Sequence, residues 1–137
     1  MALDLTEIAL RLAVALAAGV AIGIDREIKK RPAGLQTHAL VSIGAALAVL
    51  AVVASSPSAD AFSRAVQGIV TGIGFVGAGV IMQYERERRV EGLTTAASIW
   101  TAAALGMAAG AGQVLLVAGG WIEGWMERRG LGNDGKH

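Results

Sequence analysis

The run Gly68-Ile-Val-Thr-Gly-Ile-Gly-Phe-Val-Gly-Ala-Gly-Val-Ile-Met82 constrains this chain more than any other stretch. It carries no charge, one hydroxyl and five glycines. Glycine costs a water-exposed helix about 1 kcal/mol relative to alanine. In lipid the same residue is useful, because it lets two helix backbones approach closely. The run therefore reads as a membrane helix rather than a soluble one.

Composition agrees. Of 137 residues, 54% are hydrophobic and only 17% charged, and the mean hydropathy is +0.56. The apolar content is mostly Ala, Val, Leu, Ile and Gly with few aromatics, the mixture of a membrane bundle. No period-2 alternation suggests strands. The net charge of +1 gives no footprint for nucleic acid. The absence of cysteine excludes disulfides, thiolate metal sites and cysteine nucleophiles. Asp4 and Glu7 precede the first apolar run where a signal peptide would be basic, so no cleaved signal is expected.

Five apolar segments follow one another, at about Leu5–Ile24, Ala39–Ala54, Ala65–Gln83, Thr95–Ala109 and Gln113–Met126. About 20 helical residues cross a hydrocarbon core of about 30 Å. The first and third segments meet that length, and the others need help from their flanks or from local thinning. The expected fold is an all-α polytopic bundle of about five transmembrane helices. Residues 1–127 read as one transmembrane domain and 128–137 as a short tail.

Basic residues set the expected orientation. Arg26, Lys29, Lys30 and Arg31 follow the first segment, Arg86, Arg88 and Arg89 follow the third, and Arg128, Arg129 and Lys136 follow the fifth. These are ten of the twelve basic residues, and five crossings place them all on one side. The positive-inside rule then puts the N-terminus outside and the C-terminus in the cytoplasm. Tyr84, Trp121 and Trp125 fall near the inner interface, where amphipathic rings settle.

Small residues repeat at helical spacing in four segments: Ala15, Gly19 and Gly23; Gly68 with Gly72, and Gly74 with Ala78, alongside Gly77 and Gly79; Gly106 and Gly110; Gly120 and Gly124. These are helix-packing faces. They serve a tight bundle, a dimer, or both. Gly72-x-Gly74-x-x-Gly77 matches the dinucleotide fingerprint in form only. That motif needs a strand before it and a helix after it, and here it lies inside an apolar span.

Several polar residues need an account. Arg11 lies within the first segment, on the stripe of Ala15 and Gly19 and four residues after Glu7. It reads either as a snorkelling arginine held by Glu7 or as a charge lining a path or meeting a partner. Asp25, Glu27, Glu85, Glu87 and Glu91 gather at the basic face. They could hold Mg²⁺ through oxygen ligands, with Asp25 and Glu27 as the candidates, or simply pair with neighbouring arginines. His38 at the start of segment 2 reads as a structural hydrogen-bonder before a ligand. Thr37 and Thr94 are candidate helix N-caps. The positive helix ends behind them favour anionic lipid headgroups. No nucleophile–base pair or metal-ligand set with catalytic spacing is visible, so no enzyme is expected.

Together the motifs resemble the MgtC/SapB family of bacterial membrane proteins. Gly23-Ile-Asp-Arg-Glu27 is similar to the family's Gly-x-Glu-Arg-Glu block, with Asp25 in place of the usual Glu. Arg31-Pro-Ala-Gly-Leu-Gln-Thr-His-Ala-Leu-Val41, containing Gly34, Thr37 and His38, resembles the Ala-Gly-Leu-Arg-Thr-His block, with Gln36 in place of Arg. Arg64, Gln67 and Gly72–Gly79 resemble the glycine block, the Gln lying one residue nearer the Arg than the family pattern has it. Val90-Glu-Gly-Leu-Thr-Thr-Ala-Ala97 and Trp100, with Gly92, Thr94 and Thr95, resemble the last block. The matches run from about Ala18 to Gly112.

The resemblance implies a multi-pass protein of the bacterial inner membrane. It implies a role in adaptation to low magnesium and, in pathogens, in virulence. It points to a regulator that restrains the F-type ATP synthase, against the alternative of a Mg²⁺ or other cation transporter. Longer members add a soluble C-terminal domain, so the expected likeness is to their transmembrane part. Membrane lipids and a second copy of the chain, most simply in a dimer, are the other expected partners.

Overall fold

Long apolar runs free of proline have one way to satisfy their backbone in lipid, which is to become helices. A computed structural model describes residues 3–55, 58–84 and 86–128, and five α-helices account for nearly all of them. They are α1 (Leu5–Ile28), α2 (Leu35–Ser55), α3 (Ala59–Gln83), α4 (Arg89–Gly110) and α5 (Val114–Arg128). A single 3₁₀ turn, Arg86–Arg88, leads into α4. Among the described residues there is no strand.

Four helices, α1 to α4, are long and apolar enough to cross a membrane. The second and fourth are longer than their apolar stretches suggest, because each runs on into polar residues: α2 has 21 residues and α4 has 22. That removes the expected shortfall in length. The fifth helix has 15 residues, a rise of about 22 Å, and falls short of a full hydrocarbon core.

Each helix boundary has a local cause. Ser58 caps α3 by accepting a hydrogen bond from Ala61 N at 3.1 Å, which starts that helix before the apolar run begins. The C-terminus of α4 gives way to a turn in which Gly112 has φ +80°, a conformation that favours glycine.

The helices pack with α2 and α4 at the centre, α1 against both, α3 on the far side of α4, and α5 at the edge. The core is made of small side chains: Ala15, Ala18, Ala45, Ala46, Ala102, Ala103 and Ala109, with Val49 and Ile99. Large apolar residues such as Leu10, Leu47, Phe75, Leu93 and Leu115 face outward. This reverses the order of a soluble core and suits a lipid solvent, where packing of small residues holds helices together. The chain is a multi-pass membrane protein.

The close approaches can be read at the glycines. A Cβ at Gly19 would stand 2.6 Å from His38 O, and one at Gly23 would stand 2.6 Å from Leu35 Cα. These two positions bring α1 onto the start of α2. A Cβ at Gly106 would stand 2.1 Å from Ser42 O, and one at Gly110 would stand 2.6 Å from Ala46 O. These bring α4 onto α2 as well, so that α1, α2 and α4 all touch one another.

The glycine run of α3 behaves differently. Gly77 alone meets the bundle, 3.4 Å from Ala96 Cβ for an added Cβ. Around Gly68, Gly72, Gly74 and Gly79 nothing lies within 4 Å. At about 100° per residue, positions 68, 72, 75 and 79 share one face, and position 77 points the opposite way. The run thus spends one glycine on α4; Gly72 borders an open groove toward Leu40 and Gly44 of α2, and none of the other four touches a neighbouring helix.

Candidate functional site

The polar residues collect at the two ends of the bundle. At the end holding the N-terminus of α1, Arg11 donates from Nε to Glu7 Oε1 at 2.9 Å and from a terminal nitrogen to Gly110 O at 2.9 Å. Gly110 closes α4, where the last carbonyls have no partner within the helix. Arg11 thus ties α1 to the C-terminus of α4, the negative end of that helix. Of the two sequence readings, the geometry favours the held, structural arginine.

The opposite end is the basic one, and there three motif blocks meet. Glu27, at the end of α1, accepts from Leu35 N at 2.9 Å and so caps α2 from outside. Gly34 makes room: a Cβ there would stand 1.9 Å from Glu27 Oε2. Thr37 is the third residue of α2 and Thr94 the sixth of α4, so neither is an N-cap. Thr94 instead donates to Val90 O within its own helix at 2.9 Å. The expectation fails because α2 takes its cap from another helix and α4 begins earlier, after the 3₁₀ turn.

Arg26 is nine-tenths buried, with an exposure of 9%. It donates to Thr95 Oγ1 at 2.5 Å and to Pro32 O at 3.2 Å. Its Nε is buried with no partner. Among the described residues no carboxylate lies within 4 Å of its guanidinium. Next to it His38 is fully buried between α2 and α4. Its Nδ1 lies 2.9 Å from Gly34 O and its Nε2 2.9 Å from Ser98 Oγ. A carbonyl only accepts, so the proton sits on Nδ1, and Nε2 takes the Ser98 hydroxyl. Ser98 Oγ is also 2.8 Å from Thr95 O, a second acceptor for the same proton.

The acids at this end have separate partners. Asp25 accepts from Lys29 at 3.0 Å. Glu91 accepts from Arg31 at 3.2 Å and from Arg88 at 2.7 Å. Among the described residues no three His, Asp or Glu side chains stand close enough together to hold a metal. Asp25 and Glu27, the candidate Mg²⁺ ligands, are engaged with Lys29 and Leu35 respectively. Glu85 and the tail from residue 129 lie outside the described residues, as do the side chains of Arg89, Glu123, Trp125 and Arg128 and the surroundings of Gly120 and Gly124.

The other motif residues scatter. Arg64 pairs with Asp60 on exposed turns of α3, and Gln67 donates to Ser63 Oγ at 3.3 Å beside them. Trp100 faces outward from α4. Gly92 seats the Tyr84 ring, whose Cδ2 would be 2.8 Å from an added Cβ. Tyr84 is therefore partly buried, with its hydroxyl fully so. Two residues escaped the sequence reading. Ser98 joins His38 to α4, and Ser42 donates to Ala15 O at 2.7 Å and bonds α2 to α1. Ser42 had a signal, as a lone hydroxyl in an apolar stretch, whereas Ser98 is one of several hydroxyls among Thr94, Thr95 and Thr101.

Between α1 and α4 this end holds an open cavity of about 430 Å³. Its walls carry Asp25, Arg26, Lys29, Arg31 and Glu91, with Ile22 on the apolar side. The first, second and fourth motif blocks therefore build one structure: a capped helix start, a buried arginine and a polar cavity. The third block, on α3, stands apart with its bare glycine face.

Comparison with known proteins gives this arrangement a lineage. Over 120 residues the chain is 42% identical to SrpB of Synechococcus elongatus, covering 80% of this chain and 66% of that protein. Over 104 residues it is 45% identical to MgtC of Salmonella typhimurium, covering 76% of this chain and 43% of that protein. Over 115 residues it is 41% identical to YhiD of Escherichia coli, named as a candidate magnesium transporter, covering 77% and 52%. The chain thus spans about two thirds of SrpB and about half of the other two. No solved structure gives a significant match. A sequence model of the MgtC family matches residues 12–122, from Arg11's neighbour on α1 into α5, and with these relatives it shows that the chain belongs to the MgtC family.

Proposed function

We propose that the protein is a regulator of the bacterial inner membrane, linked to adaptation to low magnesium and to virulence, that acts by packing α3 against a membrane partner. One observation carries the reading: a face of α3 bearing Gly68, Gly72 and Gly79 is bare, and Phe75 stands out from it with 83% exposure. A helix that meets only lipid has no need of three glycines around one aromatic. A helix that receives another backbone does, with Phe75 as the knob. The partner is a second copy of the chain, giving a dimer, or another membrane protein such as the F-type ATP synthase. The concentration of basic residues at the Arg26 end supports a cytoplasmic position for that end, with the N-terminus outside.

The test is complementation of a deletion strain at low magnesium, with proton-driven ATP synthesis as a second readout. Gly72→Leu should accumulate and fold normally yet fail to complement. Full complementation by a folded Gly72→Leu protein would refute the reading.

The name of YhiD carries the second reading, transport of Mg²⁺ or another cation. A divalent path would need acids or free carbonyls at depth. Glu7, Asp25, Asp60 and Glu91 lie near the ends of their helices, each in an ion pair, and Glu27 accepts from Leu35 N. Purified protein in liposomes decides: Mg²⁺ uptake above that of empty vesicles would establish transport, and none would exclude it.

A further inference from the structure

The cavity at the basic end has an unbalanced charge. Three cations, Arg26, Lys29 and Arg31, line it with two carboxylates, Asp25 and Glu91. Asp25 is taken by Lys29 and Glu91 by Arg31 and Arg88. Arg26 is left with neutral acceptors alone, Thr95 Oγ1 and Pro32 O, while its Nε has none. Arginine does not shed its proton in proteins. A buried guanidinium with no carboxylate in contact is costly, and the cost falls when an anion arrives. The same cavity is lined by Val90 and Glu91, in the first turn of α4, a helix whose start has no side-chain cap. The positive end of that helix dipole favours an anion at the same place.

We infer that this cavity is an oxyanion site that takes a single phosphate group, with the Arg26 guanidinium as its central contact. A phosphate fits the planar fork of arginine better than a halide does, since two oxygens can be bonded at once. The volume lies in the lower part of the range for small-ligand sites. The phosphate comes from an anionic lipid headgroup or from the free ion. The inference does not depend on α3 having a partner, because α3 does not line the cavity.

The test uses the whole chain, purified in a zwitterionic detergent and stripped of lipid. Inorganic phosphate is titrated by equilibrium dialysis. In parallel, binding is compared in nanodiscs of phosphatidylcholine with and without phosphatidylglycerol, and retained lipid is read by native mass spectrometry. The expected result is one saturable site for phosphate or for phosphatidylglycerol. Arg26→Gln should weaken it tenfold or more, and Arg26→Lys, which keeps the charge without the fork, should weaken it less. Retained phosphatidylglycerol that phosphate does not displace identifies the lipid, whereas saturable phosphate in detergent identifies the free ion. Should Arg26→Gln fail to fold, Arg31→Gln on the exposed wall should still weaken binding severalfold. If the wild-type chain binds neither phosphate nor phosphatidylglycerol above phosphatidylcholine, or if folded Arg26→Gln binds as well as wild type, the site is overturned.

Discussion

Gly106→Ala should loosen the bundle more than its single methyl group suggests. The new Cβ would stand 2.1 Å from Ser42 O, 2.8 Å from Ser42 C and 2.9 Å from Ser42 Cα. All three are backbone atoms, so no rotamer change relieves them. Ordinary contact begins near 3.4 Å, so α2 and α4 would have to separate by about 1.3 Å. α2 is also held by α1, where Ser42 bonds Ala15 O and Ser42 Cβ would stand 2.8 Å from a Cβ at Gly19. A shift of α2 away from α4 would therefore disturb its contacts with α1. Overpacking of this kind costs about 1–3 kcal/mol, occasionally more. Alanine returns up to about 1 kcal/mol in helix propensity; with rigid backbone atoms as the obstacle the cost lies in the upper part of that range, leaving a net loss of about 1–2 kcal/mol. Unfolding in mixed micelles, followed by tryptophan fluorescence against denaturing detergent, measures it. Gly72→Ala is the control, because nothing lies within 4 Å of that glycine, and it should cost the isolated protein nothing. A Gly106→Ala protein as stable as wild type would refute the close α2–α4 packing.

Three further outcomes follow from the contacts. Glu27→Ala removes the cap from α2 and should cost about 1 kcal/mol in the same assay, while Glu27→Gln, which can still accept from Leu35 N, should cost less. Arg11→Ala leaves Gly110 O and Glu7 without their partner and should cost about 1–3 kcal/mol, with faster amide exchange in the Ala111–Gln113 turn. His38→Ala empties a buried site between α2 and α4 and frees Ser98. It should cost about 2–4 kcal/mol, and His38→Asn, which keeps a hydrogen-bonding group, should cost less.

Much of this was legible before the structure. Long apolar runs can only become helices in lipid, so the bundle followed from hydropathy. The faces of Gly19 with Gly23 and of Gly106 with Gly110 repeat every four residues on stretches whose other faces carry larger side chains, and they pack as that period implies. The glycines of α3 have the same local pattern, yet four of them meet nothing in the chain. Periodicity shows that a face is small, and it cannot say whose backbone the face receives. The basic end was legible only in pieces. Arg26 follows Asp25 and precedes Glu27, and local spacing suggested pairing with them. In the fold both acids turn away, to Lys29 and to Leu35 N, and Arg26 reaches a hydroxyl 69 positions along the chain. Side-chain choices of that kind depend on which helix arrives opposite, and a single helix does not encode them.

The central claim is that the outward face of α3 receives protein and not only lipid. The chain has no cysteine, so one introduced thiol gives a unique probe. Gly68→Cys, Gly72→Cys and Gly79→Cys, each carrying a short photocrosslinker and activated in native membranes, should yield a discrete protein adduct. Its mass will be that of two copies or of one copy with a different chain. Leu115→Cys, on the exposed side of α5, should give none. If the three α3 positions react as Leu115→Cys does, reaching lipid alone, the claim is contradicted.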